Sequence, residues 1–149
     1  MAAGSRTPKV DLGARLEALG QTLGAREVEH REGLQRARSR IEQLRGRIEV
    51  ALERFHRAAA KAGAPHLRVL LGEIRTDEKH LRAVEFDLRR GRYRAIVTAK
   101  SRGEVTLVGP FRVGKNEGPC RTFALESDAE LSDALATFLE SFLGEASTP

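Results

Sequence analysis

The sequence predicts an α+β protein: a long, coiled-coil-like N-terminal helix, an antiparallel four- to five-stranded meander sheet, and a C-terminal amphipathic helix on one face of that sheet. Three changes of period carry this reading. Apolar residues recur at helical spacing from Leu12 to Ala62, alternate strictly between Leu81 and Lys100, and return to helical spacing from Leu131 to Leu143. Composition agrees, since 32% charged and 40% apolar residues in a chain of 149 suit a solvated helix beside a small core.

Residues 1–6 are expected to be disordered, and Thr7-Pro8 supplies an N-cap followed by proline at the first helical position. The helical segment then spans residues 7–63, where Gly63-Ala64-Pro65 ends it. Leu12, Leu16, Leu19 and Leu23 form one register; Leu34, Ala37, Ile41, Leu44, Ile48, Ala51, Phe55, Ala58 and Ala62 form a second. Extending the first register puts Arg26 and His30 at core positions, and Leu34 follows His30 by four residues, the offset of a stutter. Five glycines, from Gly13 to Gly46, each cost about 1 kcal/mol relative to alanine. The segment is therefore either one bent helix or two helices meeting near Gly24. A narrow apolar seam needs a partner. A second copy is expected to supply it, in parallel or antiparallel, with Leu34, Ile41, Leu44, Ile48 and Phe55 as dimerisation residues. The competing arrangement packs Leu34 to Ala62 on the chain's own sheet.

Residues 66–145 hold the sheet and the last helix. Leu67 to Arg75 fits both alternation and one helical face; Gly72 and the turn-like Thr76-Asp77-Glu78-Lys79 favour a strand. In the hairpin that follows, Val84, Phe86 and Leu88 point one way and Glu85, Asp87 and Arg89 the other. An Arg90-Gly91 loop would set Leu88 against Tyr93, Phe86 against Ala95 and Asp87 against Arg94, apolar on apolar and charge on charge. Glu104 to Val108 reads as a strand that Phe111 to Val113 continues past a bend at Gly109-Pro110. Gly114 to Pro119 is a loop and Arg121 to Leu125 the last strand. Ser127-Asp128-Ala129-Glu130 is a capping box, and Leu131, Leu135, Phe138, Leu139, Phe142 and Leu143 share one face of the helix behind it.

Charge is divided along the chain. Residues 1–65 carry thirteen Lys/Arg against eight Asp/Glu, residues 66–121 thirteen against seven, and residues 122–149 none against six. Helix and sheet are basic, the last helix acidic. Such asymmetry suits a polyanionic partner or self-association as well as plain solubility. Cys120 is alone, which fits a reducing compartment. No apolar run reaches membrane-spanning length and MAAGSRTPKV has no apolar h-region, so a cytoplasmic protein without membrane contact is expected.

Catalytic signatures are weak. Gly109 to Lys115 has the GxxxxGK spacing of a phosphate loop, but Asn116 stands where a Mg²⁺-binding hydroxyl is needed and Gly118-Pro119 forbids the helix. Cys120 adjoins a strand, where a cysteine is usually a small buried group, and His30, His56, His66 and His80 sit in no local signature. No metal, cofactor or enzymatic activity is expected. The basic set is more informative. With Asp87 and Arg94 neutralising each other, Arg89, Arg92, Lys100, Arg102, Arg112, Lys115 and Arg121 are left on strand ends and loops as candidate phosphate contacts. Aromatic stacking is poorly supplied, with no Trp and with Phe86 and Tyr93 claimed by the core.

Phe86-Asp87-Leu88, Gly91-Arg92-Tyr93, Ile96, Phe123-Ala124-Leu125 and the helical Leu131, Leu135, Phe138 and Phe142 lie in an order that resembles the ββββα repeat of the PUR family of single-stranded DNA/RNA-binding proteins, across residues 81–143. The chain departs from that family in having one repeat, a Gly109–Pro119 insertion and a long N-terminal helix. The resemblance implies a dimer, because family members bury two repeats against each other. The expected function is a non-enzymatic, dimeric nucleic-acid-binding protein, single-stranded DNA or RNA preferred. The alternative is a structural or adaptor protein that binds other proteins through its coiled coil and small domain.

Overall fold

A computed structural model describes residues 9–77, 82–114 and 118–147. Helix α1 (Leu12–Lys61) runs unbroken for 50 residues. Its N-cap is Asp11, whose Oδ1 accepts a hydrogen bond from the Ala14 N–H at 3.0 Å. The helix thus starts later than the Thr7-Pro8 pair suggests; that pair and the expected disorder of residues 1–6 lie outside the described residues. No break occurs at Gly24, so the two-helix reading is corrected. Gly33 has a local reason to be glycine: a Cβ there would stand 2.1 Å from the Ser101 carbonyl oxygen. Gly63, at φ 97°, turns the chain away after the C-cap.

Six antiparallel strands follow: β1 (Leu70–Leu71), β2 (Arg75–Asp77), β3 (Ala83–Arg90), β4 (Tyr93–Lys100), β5 (Glu104–Arg112) and β6 (Cys120–Ala124). Their order is β1-β3-β4-β5-β6, with β2 also paired to β3. The ambiguous Leu67–Arg75 stretch is extended but broken at Gly72, and both short pieces pair with β3. The central hairpin turns at Gly91-Arg92, one residue later than expected, with Gly91 at φ 57°. Leu88 therefore faces Ala95 and Phe86 faces Val97. The slip is two residues, so every side chain keeps its face. Between β4 and β5 the register shifts where Gly109-Pro110 oppose Ala95, a bulge that lets β5 continue to Arg112.

Both helices lie on one face of the sheet. Val84, Phe86 and Leu88 on β3, Ala95, Val97 and Ala99 on β4, and Val105 and Leu107 on β5 form its inner surface. Helix α1 lays Ala37, Ile41, Leu44, Ile48 and Leu52 over β3 and β4. Helix α2 (Asp128–Ala146) covers β4 and β5 with Leu131, Leu135, Phe138 and Phe142. Arg40 donates to Asp128 at 2.7 Å and Arg47 to Ser132 at 2.9 Å, joining the two helices edge to edge. Ser127 is the N-cap of α2, yet its hydroxyl makes no capping hydrogen bond, so the expected capping box is not formed.

This packing overturns the assignment of Leu34, Ile41, Leu44 and Ile48 to a dimer seam and leaves only Phe55 outside the core. Ile41, Leu44 and Ile48 are buried against the chain's own sheet, Leu34 packs on the same core, and Phe55 is half-buried with its ring tilted against His56. Burial of each core side chain is worth about 1.5–3 kcal/mol, and for Ile41, Leu44 and Ile48 intramolecular contact has already taken it.

Candidate functional site

The opposite face of the sheet carries no helix among the described residues, and most of its charges are paired with one another. Asp87 sits at its centre, 3% exposed. The Nε groups of Arg89 and Arg94 both donate to its Oδ2, at 2.6 and 2.9 Å. Burial pushes the Asp87 carboxyl up, but the hydrogen bond from Arg89 and the charges of Arg89, Arg94 and Arg75 outweigh it and hold the group below the usual carboxylate range. Gly72 makes room for it, since a Cβ there would lie 2.0 Å from Asp87 Oδ1. Alongside, Arg75 and Thr98 both donate to Glu85, at 3.0 and 2.9 Å, and the Thr106 and Thr122 hydroxyls meet at 3.1 Å. This face is a closed polar network rather than a phosphate track.

The seven basic residues singled out from sequence are not brought together. Arg89 is tied to Asp87, and Arg102 pairs with Glu104 at 2.9 Å. Arg112 lies over the Tyr93 ring at 5.6 Å. Arg121 stacks on Phe123 at 5.1 Å and shares a small cleft with Glu130 and Asp133, which places it in acidic surroundings. Lys115 lies outside the described residues. Arg92 and Lys100 lie at opposite ends of β4, roughly 26 Å apart at about 3.3 Å per residue.

A denser cluster forms where α1 leaves the sheet. There the His30 Nδ1 and Ser101 Oγ share a hydrogen bond of 3.1 Å, just before Gly33 lets the helix cross the β4–β5 turn. Two clefts flank this crossing, and His30 and Arg82 line both. The larger, about 660 Å³, adds Arg31 and Arg38; the smaller, about 320 Å³, adds Arg26, Arg36 and Arg102. Six arginines thus line the two clefts that share this histidine, with Glu27 and Glu29 in the same walls. Arg38 is engaged with Glu42 and Thr76, and Arg102 with Glu104. Arg26, Arg31, Arg36 and Arg82 form no ion pair among the described residues. Arg82 has a φ of 48°, alone in positive φ among the described non-glycine residues, and its carbonyl accepts from the Ser101 N–H at 2.9 Å. Left-handed backbone at a non-glycine residue is uncommon and gathers at functional sites.

Sequence reasoning missed this collar because arginines on a charged helix look like solvated surface. The available signal was the first seam register, which puts Arg26 and His30 at inward positions. Of the expected contacts, Arg102 lines the collar and Lys100 precedes its Ser101.

The remaining reactive groups do not converge. Cys120 is exposed on β6, not buried as expected, and no group of three metal-ligating side chains occurs among the described residues. His56 serves structure: its Nε2 accepts from the Val69 N–H at 3.0 Å, and burial followed by the nearby Arg68 charge lowers its pKa, against an opposing effect of Glu53. No described helix is long and apolar enough to cross a membrane. No protein-family model, curated protein or solved structure matches this chain.

Proposed function

We propose that this chain is a non-enzymatic polyanion-binding protein, with single-stranded DNA or RNA as the preferred ligand, and that phosphates are held by the arginine collar around His30 rather than by the sheet face. One observation carries the reading: Arg26, Arg31, Arg36 and Arg82 line two clefts and form no ion pair among the described residues, although Glu27 and Glu29 stand in the same walls. Unpaired guanidiniums in a concave wall match phosphate geometry and gain from counterion release. The resemblance to the PUR repeat, which rests on element order, adds the preference for single strands. With Tyr93 under Arg112 and no Trp in the chain, recognition falls on the backbone and sequence preference is expected to be slight.

Fluorescence anisotropy with labelled single-stranded and duplex oligonucleotides at two salt concentrations tests this. Affinity for the single strand should fall with salt at a slope near −0.7 per phosphate contacted. Arg31→Glu/Arg82→Glu should weaken binding and flatten the slope by about 1.4 if each residue holds one phosphate. Absence of binding at low salt ends the reading. The structural or adaptor alternative draws on a separate observation, the exposed leucines at the start of α1, and predicts binding to protein with no response to oligonucleotide.

A further inference from the structure

Helix α1 overhangs its domain. Gly33 is its first buried residue and its clefts with the domain begin at Arg26, so Leu12 to Ala25 project past the sheet, and Leu12, Leu16, Leu19 and Leu23 are 68%, 57%, 50% and 50% exposed. At 3.6 residues per turn these leucines lie on the same side of the helix as Ala37, Ile41, Leu44 and Ile48, which face the sheet. The core stripe thus continues for three turns with nothing of its own chain beneath it among the described residues. A contiguous apolar stripe of this kind marks an association surface.

We propose that a second copy of the chain covers it, antiparallel, with the two overhangs paired over residues 12–23. Leucine spacing argues for this partner. The steps of four, three and four read the same in both directions, so a two-fold axis between Glu17 and Ala18 pairs Leu12 with the partner's Leu23 and Leu16 with the partner's Leu19. All four layers are then leucine on leucine. A parallel pair fails twice. It would stack Arg26 on Arg26 and His30 on His30, and the partner helix, lying on the leucine side, would run into the sheet that occupies that side from Gly33 onward. In the antiparallel pair the partner's helix begins beside Leu23, ten residues or about 15 Å short of Gly33, and each domain sits at its own end. This assembly does not rest on the nucleic-acid reading.

Sedimentation equilibrium should show a dimer at tens of micromolar, and Leu16→Asp/Leu19→Asp should be a folded monomer whose thermal midpoint no longer rises with protein concentration, because neither leucine belongs to the core. A spin label at Glu29→Cys in a Cys120→Ser background should give a pulsed-resonance separation of about 35 Å, the spacing along the helix axis for this register. A wild-type monomer up to about a hundred micromolar overturns the proposal, and so does a dimer that survives the double substitution. A label separation near 10–15 Å, the value for parallel helices packed side by side, would overturn the antiparallel arrangement.

Discussion

Asp87 shows how one side chain can organise a sheet face. A carboxylate so buried would be unfavourable alone; two guanidiniums on one oxygen and the gap left by Gly72 make it acceptable. Asp87→Asn should cost roughly 1–3 kcal/mol, the range for a buried polar group that loses charged partners, read as a lower urea midpoint. Since its pKa is depressed, its stabilisation is present above about pH 3.8 and is lost as pH falls through the lower folded value. His56 behaves similarly at milder acidity. Its folded pKa lies below 6.5, so the unfolded chain takes up the proton first, and stability should decline as pH drops below about 6.5. His56→Gln, whose amide oxygen can accept from Val69, should flatten that part of a stability–pH curve; an unchanged curve would sink the assignment. The pairing of Asp87 with Arg94 was legible in the alternation of the hairpin, even with the turn misplaced by one residue. Arg89 was legible on the same face, two residues along the strand, but was read as a free phosphate contact; Gly72 was not legible, because its proximity depends on β1 lying beside β3.

At the scale of elements, α1 carries two halves of different use. Its period is the same throughout, and period alone cannot say whether a stripe meets a sheet or another helix. That is why the fold class was legible while Ile41, Leu44 and Ile48 were assigned to the wrong partner. Strands of two or three residues, such as β1 and β2, carry too few positions for any period to show. Replacement of Phe138 by alanine should cost about 3–5 kcal/mol, because α2 is an integral cover of β4 and β5; a negligible shift in the unfolding midpoint would contradict the packing. Gly33→Val tests the crossing. A side chain there must displace the Ser101 backbone, so the His30–Ser101 contact and the collar should be disturbed together, with loss of stability and of oligonucleotide binding at once.

Across the whole molecule, charge and shape are separated. The acidic helix α2 lies at one side of α1, while the collar lies where α1 leaves the sheet; the two meet only at Arg36, which shares a cleft with Glu126 and Asp128. Antiparallel pairing of the overhangs would place two collars about 37 Å apart along a shared rod. A strand that spans both should then bind with an avidity that a single collar lacks. On an oligonucleotide of about one site size, roughly eight nucleotides, wild type and Leu16→Asp/Leu19→Asp should bind equally, because the substitutions leave each collar intact. On a strand several times longer the wild type should gain on the order of a hundredfold while the monomeric variant gains little. Equal gains for both proteins would show that the collars act independently, and would detach the assembly of this chain from its binding of polyanions.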